Sequence, residues 1–135
     1  MEAAVMTNAM VVQDCYGYFS TGNIPALLEK LTDDVQWFTP GPKEVMPWVG
    51  KRTGKAQVGE FFSLLNQHVE FLKFEPKEYI EQGNKVVALG HMEGKSRTTG
   101  KISSTDWAMV FTLKNGKVTN FQEYSDTYEG FKAFS

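Results

Sequence analysis

Apolar residues near the start of the chain recur at spacings of three and four. Val5, Ala9, Val12, Tyr16 and Phe19 fall on one stripe, and no proline interrupts residues 4–20, which predicts an amphipathic helix. Gly22-Asn23 ends it. Asn23 is placed to cap a short second helix, with Pro25 in its first turn and Ala26, Leu27, Leu28 and Leu31 following before Asp33-Asp34. These two helices form an antiparallel pair. Val35-Gln36-Trp37-Phe38-Thr39 is β-prone and stops at Pro40-Gly41-Pro42. Thr53-Gly54 opens a third helix, with Val58, Phe61, Phe62 and Leu65 on one side, and residues 43–52 read as the loop before it.

After His68 the period changes from helical to alternating. Four runs, 69–80, 85–97, 101–113 and 117–126, are separated by Gln82-Gly83-Asn84, Thr98-Thr99-Gly100 and Lys114-Asn115-Gly116, the signature of an antiparallel meander. Asn115-Gly116 suits a type I′ hairpin turn, whose two central residues both need positive φ. With no repeat or linker in the chain, the order helix, helix, strand, helix, four strands predicts one α+β domain over residues 1–135. Its expected form is a curved antiparallel sheet in the shape of a cone, with about three helices on the concave face.

Charge and composition narrow the partners. Lysines and arginines number 14 against 16 aspartates and glutamates and are scattered among them, so no basic field exists to attract nucleic acid. One cysteine and two histidines fall short of a Cys/His zinc site, and no bound metal is expected, although a carboxylate-rich ion site stays open. No window approaches the roughly 18 consecutive apolar residues of a membrane span. With no basic leader at the start, the expectation is a cytoplasmic protein. Gly50-Lys51-Arg52-Thr53-Gly54-Lys55 matches neither the P-loop nor the dinucleotide pattern, so no nucleotide, and no other cofactor, is expected. Cys15 sits on an apolar stripe and reads as a buried structural thiol.

Three stretches carry a resemblance. They are Leu31-Thr32-Asp33-Asp34-Val35-Gln36-Trp37, Gly50-Lys51-Arg52-Thr53-Gly54-Lys55-Ala56-Gln57-Val58-Gly59-Glu60-Phe61-Phe62, and Asn115-Gly116-Lys117-Val118-Thr119-Asn120-Phe121-Gln122-Glu123-Tyr124-Ser125-Asp126. With the element order, they resemble the nuclear transport factor 2-like superfamily, and within it the SnoaL-like group related to ketosteroid isomerases and polyketide cyclases. The resemblance implies a hollow between the helices and the concave sheet face. It leaves activity open, because this fold carries isomerases, cyclases, dehydratases, epoxide hydrolases and non-catalytic binding modules.

Period-two alternation says which residues face that hollow. Trp107, Met109, Phe111 and Leu113 share one face. In the last run Thr119, Phe121, Glu123 and Ser125 alternate with Val118, Asn120, Gln122, Tyr124 and Asp126. Counting outward from Asn115-Gly116 pairs Phe111 with Phe121 and Met109 with Glu123, which puts Glu123 on the cavity face.

The isomerase pattern places its base at Thr39, a tyrosine near Cys15 and a protonated aspartate near Met109. None of these matches. Tyr16 is one position off, a rotation of about 100° on a helix, so the steroid isomerase reaction is not expected. The polyketide-cyclase pattern places a carboxylate seven residues after the hairpin glycine, where Glu123 stands, and a histidine where Met109 stands. Walled by Trp107, Met109 and Phe121, Glu123 is the candidate general base. Bonding to a lysine or tyrosine near the sheet end is the other reading of it.

His91 shares a face with Val87 and Leu89, and either enters the cavity as base or donor or is a core or edge residue. Asp126 either lines the mouth or anchors the C-terminal turn. Tyr16 is a further donor. Trp37, Phe62 and Trp107 are expected along the wall, and Trp48 over the mouth. The stretch Val45-Met46-Pro47-Trp48-Val49 is too apolar for an ordinary solvent loop and reads as a lid or an interface.

The function these residues support is cofactor-independent acid–base chemistry, an isomerisation, cyclisation or dehydration, on a hydrophobic cyclic or polyketide-like ligand. The alternative is a non-catalytic ligand-binding or association domain. Ala108, Val110 and Thr112 beside Val118, Gln122 and Tyr124 make the other sheet face too apolar for solvent. The resemblance implies pairing through that face, so a homodimer burying about 1,200–2,000 Å² is expected.

Overall fold

The computed structural model describes residues 6–135, so Val5, the first position of the predicted helical stripe, lies outside the described residues. Helix α1 (Asn8–Ser20) starts where the Thr7 side chain accepts from the Met10 N–H, and it buries Val11, Val12 and Cys15. Helix α2 (Ile24–Glu29) is capped by Asn23, whose side chain accepts from the Ala26 N–H. Strand β1 (Leu31–Thr39) begins four residues before the predicted run.

At the end of the predicted 43–52 loop, and one residue beyond it, the chain forms β2 (Gly50–Thr53), an edge strand antiparallel to β1. Its Gly-Lys-Arg-Thr sequence carries no alternation, and only pairing with β1 reveals it as a strand. Helix α3 (Gly54–His68) buries Val58, Phe61, Phe62 and Leu65 as its stripe requires. The meander follows as β3 (Val69–Gln82), β4 (Lys85–Ser96), β5 (Ile102–Lys114) and β6 (Lys117–Ser125). Asn115 and Gly116 turn the last hairpin with φ of 52° and 78°.

The tail, predicted to follow the last strand without a helix, forms α4 (Thr127–Phe134). Eight residues are too few to hold a helix in isolation. Two contacts secure it: the Asp126 side chain accepts from the Tyr128 and Glu129 N–H groups, and Phe134 packs on Trp48.

The six strands form one curved, unclosed sheet in the order β2-β1-β6-β5-β4-β3, parallel only between β1 and β6. Register shifts in β3, at Phe71/Lys73 and Pro76/Glu78, mark bulges that bend the sheet. Opposite Pro76, Gly90 admits no side chain, because a Cβ there would collide with the Glu75 carbonyl and the Trp107 ring. One more shift, at Thr112/Leu113, pairs Val118 with Leu113 and Leu31. It turns Val118 into the core, fully buried, and not onto the outer face where uninterrupted alternation puts it. The core lies between α1–α3 and the concave face, around Val11, Val12, Leu31, Val35, Val58 and Val86.

Candidate functional site

Register brings the site together on the concave face. Met109 pairs with Glu123 and Phe111 with Phe121 across β5 and β6, while Trp37 on β1 stands beside Phe121. These residues line a cavity of about 110 Å³ that is apolar over most of its wall. Phe62 closes one side, edge-on to Trp37 at 5.7 Å, and Trp37 stacks on Phe121 at 3.9 Å.

Glu123 is the carboxyl in the interior of this wall, 9% exposed. Its partner is neither lysine nor tyrosine: the Ser125 hydroxyl donates to Oε2 at 2.9 Å. Burial pushes the carboxyl up from 4.5 to about 7, against the smaller opposing effect of that hydrogen bond. Near neutral pH both its protonated and its ionised forms are therefore populated.

Tyr16 reaches the same hollow from α1. Its hydroxyl donates to the Met109 sulfur at 3.1 Å, a weak acceptor. Burial first, then the nearby Tyr79 and Glu123, hold the phenol well above its usual 10.0, so it stays a neutral donor. The thiol of Cys15 also faces the cavity, but burial pushes it up to about 12, and it stays protonated and unreactive.

One part of the cavity wall is made by the apolar stretch before β2 and by α4. Met46 and Trp48 are buried and line the cavity, Trp48 edge-on to Phe134 at 4.8 Å. This stretch packs against α4 along the cavity wall. Asp126 lines the rim, and its carboxylate is committed to capping α4.

Two sequence expectations fail on geometry. His91 does not line the cavity. It lies on the outer sheet face, where Nδ1 is 2.8 Å from Asp106 Oδ1 and Nε2 is 3.2 Å from Ser104 Oγ. The inward residues of β4 are instead Val86, Ala88, Gly90 and Met92. Trp107 points inward but is not part of the cavity wall, because it is stacked between Tyr16 at 5.6 Å and Phe74 at 5.1 Å, over Gly90.

Other wall residues were not anticipated. Phe71 and Phe74 both face the cavity despite their odd spacing, since the Phe71/Lys73 bulge resets the alternation. Phe134 depends on a helix that the tail sequence alone does not announce. Among the described residues no group of three or more His, Cys, Asp or Glu side chains gathers to hold a metal ion. No helix among them is long and apolar enough to cross a membrane.

Comparison with known proteins agrees with this architecture. The SnoaL-like domain family matches residues 12–121, most of the chain. The chain belongs to the SnoaL-like family. An NTF2-like protein from Burkholderia xenovorans is 28% identical, with 95% of each chain covered and a TM-score of 0.86. An NTF2-like protein of unknown function from Burkholderia pseudomallei is 26% identical over 96% of this chain and 99% of its own, with a TM-score of 0.87. TerC, co-crystallised with polyporic acid, is 25% identical over 94% of this chain and 97% of its own, with a TM-score of 0.84. No curated protein matches the chain.

Proposed function

We propose that this SnoaL-like chain is a cofactor-independent acid–base enzyme, of isomerase, cyclase or dehydratase type, acting on a hydrophobic cyclic or polyketide-like molecule held in the cone. The observation that carries this reading is Glu123, a buried carboxyl raised to about 7 among aromatic walls. A group balanced near neutrality can take a proton from one atom of a ligand and return it to another. The surrounding apolar wall excludes water, which keeps that proton between the carboxyl and the ligand. Tyr16 serves as the second polar group. Its tie to a thioether is easily exchanged for a ligand oxygen. Asp126 acts through α4, as a positioning residue. The co-crystallisation of TerC with polyporic acid supports the reading that a cone of this kind accepts an organic ligand.

The test is proton exchange. Cyclic ketones and aromatic polyketide-type compounds are incubated with the protein in D₂O and followed by mass spectrometry. Wild-type protein is expected to speed deuterium incorporation into at least one of them, and Glu123→Gln to abolish about 10²-fold or more of that rate. Equal incorporation with the two proteins overturns Glu123 as the base. It leaves the non-catalytic ligand-binding domain as the better account.

Assembly is a second part of the proposal. Phe38, Val110, Val87 and Ile80 lie in one row across the outer sheet face, interrupted only by Gln122. Phe38 is 37% exposed, Ile80 50% and nearby Tyr124 52%. Helix α4 packs along the cavity wall and leaves this face bare. A homodimer packed sheet to sheet would bury the row.

A further inference from the structure

We propose that the Trp37 indole N–H and the Thr39 hydroxyl form a subsite for an acceptor oxygen on the ligand, such as a carbonyl, placed beside Glu123. This rests on the reading that the cone holds an organic molecule, and it adds the functional group that molecule carries.

Trp37 and Thr39 are alternate residues of β1, so both point to the concave side. They are 5% and 2% exposed, and both line the cavity. Neither Trp37 Nε1 nor Thr39 Oγ1 has a hydrogen-bond partner among the described residues. A buried donor without an acceptor is a standing cost to the folded state, and native interiors keep few of them. Two on one wall of one cavity are explained if a ligand supplies the acceptor. The Trp107 N–H is also unpaired, but Trp107 stands outside the cavity wall and is not part of the subsite.

The register places the pair. Trp37 stands beside Phe121 and Phe38 beside Gln122; continuing that register by one step would bring Thr39 level with Glu123 on the neighbouring strand, at about the 4.8 Å spacing of paired strands. An oxygen held at Thr39 thus puts the adjacent atom of the ligand within reach of the carboxyl. Neither polar atom is open to the hollow in the structure, so a ligand oxygen engages them as the wall yields, with the Trp37 ring held in orientation by Phe121 and Phe62. An indole N–H can only donate, so the subsite selects an acceptor and rejects an ammonium group. The ligand is a flat apolar ring compound whose carbonyl lies next to the atom that Glu123 deprotonates or protonates.

Acetophenone and α-methylstyrene test this, because they share size and shape and differ by oxygen against methylene. Their affinities are measured by ¹H–¹⁵N NMR titration, with the Trp37 indole signal assigned from Trp37→Phe. In wild-type protein acetophenone should move the Trp37 N–H signal downfield, and α-methylstyrene should not. Thr39→Val should lower the ratio of acetophenone to α-methylstyrene affinity about tenfold, while Thr39→Ser, which keeps the hydroxyl, should preserve it. A ratio unchanged in both Thr39→Val and Trp37→Phe overturns the subsite and leaves the proposed function standing. Failure of both compounds to bind overturns the subsite together with the reading of the cavity as a ligand site.

Discussion

Replacing Glu123 by glutamine should stabilise the protein increasingly as pH rises from about 4.5 to about 7, and by a constant amount above that. The carboxyl is raised from 4.5 to about 7 by burial, so the folded state binds its proton more tightly than the unfolded chain does. Its contribution to stability is fully present below pH 4.5. It is lost as pH rises toward 7, because the native state must then either keep a proton that solution would remove or bury a charge. Above pH 7 the full penalty applies, about 3 kcal/mol at about 1.4 kcal/mol per pKa unit. Glutamine has nearly the same shape, carries no charge and can still accept from Ser125. Urea unfolding at pH 5 should therefore find the two proteins within about 1 kcal/mol, while at pH 8.5 the variant should be more stable by about 3 kcal/mol, or roughly 10 °C in Tm. A difference that does not change between pH 5 and 8.5, or a variant less stable at 8.5, would refute the reasoning, since either would mean that burial does not oppose ionisation of this carboxyl.

Further outcomes follow from other contacts. Gly90→Ala should cost about 2–4 kcal/mol in denaturant unfolding, because the new Cβ meets the Trp107 ring and the Glu75 carbonyl at the bend of the sheet. Asp126→Ala should lose about 1 kcal/mol through the missing cap and speed hydrogen exchange selectively in α4 and residues 44–49, with the meander unaffected. Light scattering after size exclusion should give twice the 15.2 kDa chain mass for the wild type, and Val110→Glu should shift it toward monomer; a wild-type monomer at tens of micromolar would remove the sheet-to-sheet dimer.

Much of this was legible from residues alone wherever the signal was periodic. The β5–β6 hairpin is the clearest case. Asn115-Gly116 fixed the turn, the turn fixed the register, and the register put Glu123 opposite Met109. The stripe of α3 likewise gave Val58, Phe61, Phe62 and Leu65 without help from tertiary contacts.

What escaped has physical causes of three kinds. Bulges reset the alternation, so Val118 turned inward and Phe71 and Phe74 both reached the cavity. Elements held by partners, β2 on β1 and α4 on Trp48, carry too little pattern of their own. Alternation also divides a strand into two faces without saying which one is concave, so it leaves both the cavity and the edge reading of His91 open, and its face is the outer one. Trp107 shows a related limit, because pointing inward is not the same as lining the hollow: Tyr16 and Phe74 cover it.

The central claim is that Glu123 is a proton carrier balanced near neutrality inside an apolar cavity. Titrating the side-chain carboxyl carbons by ¹³C NMR, with Glu123→Gln identifying the resonance, measures this directly. A midpoint near 7 is predicted. A midpoint near 4.5, the ordinary value for a solvated glutamate, would contradict the account.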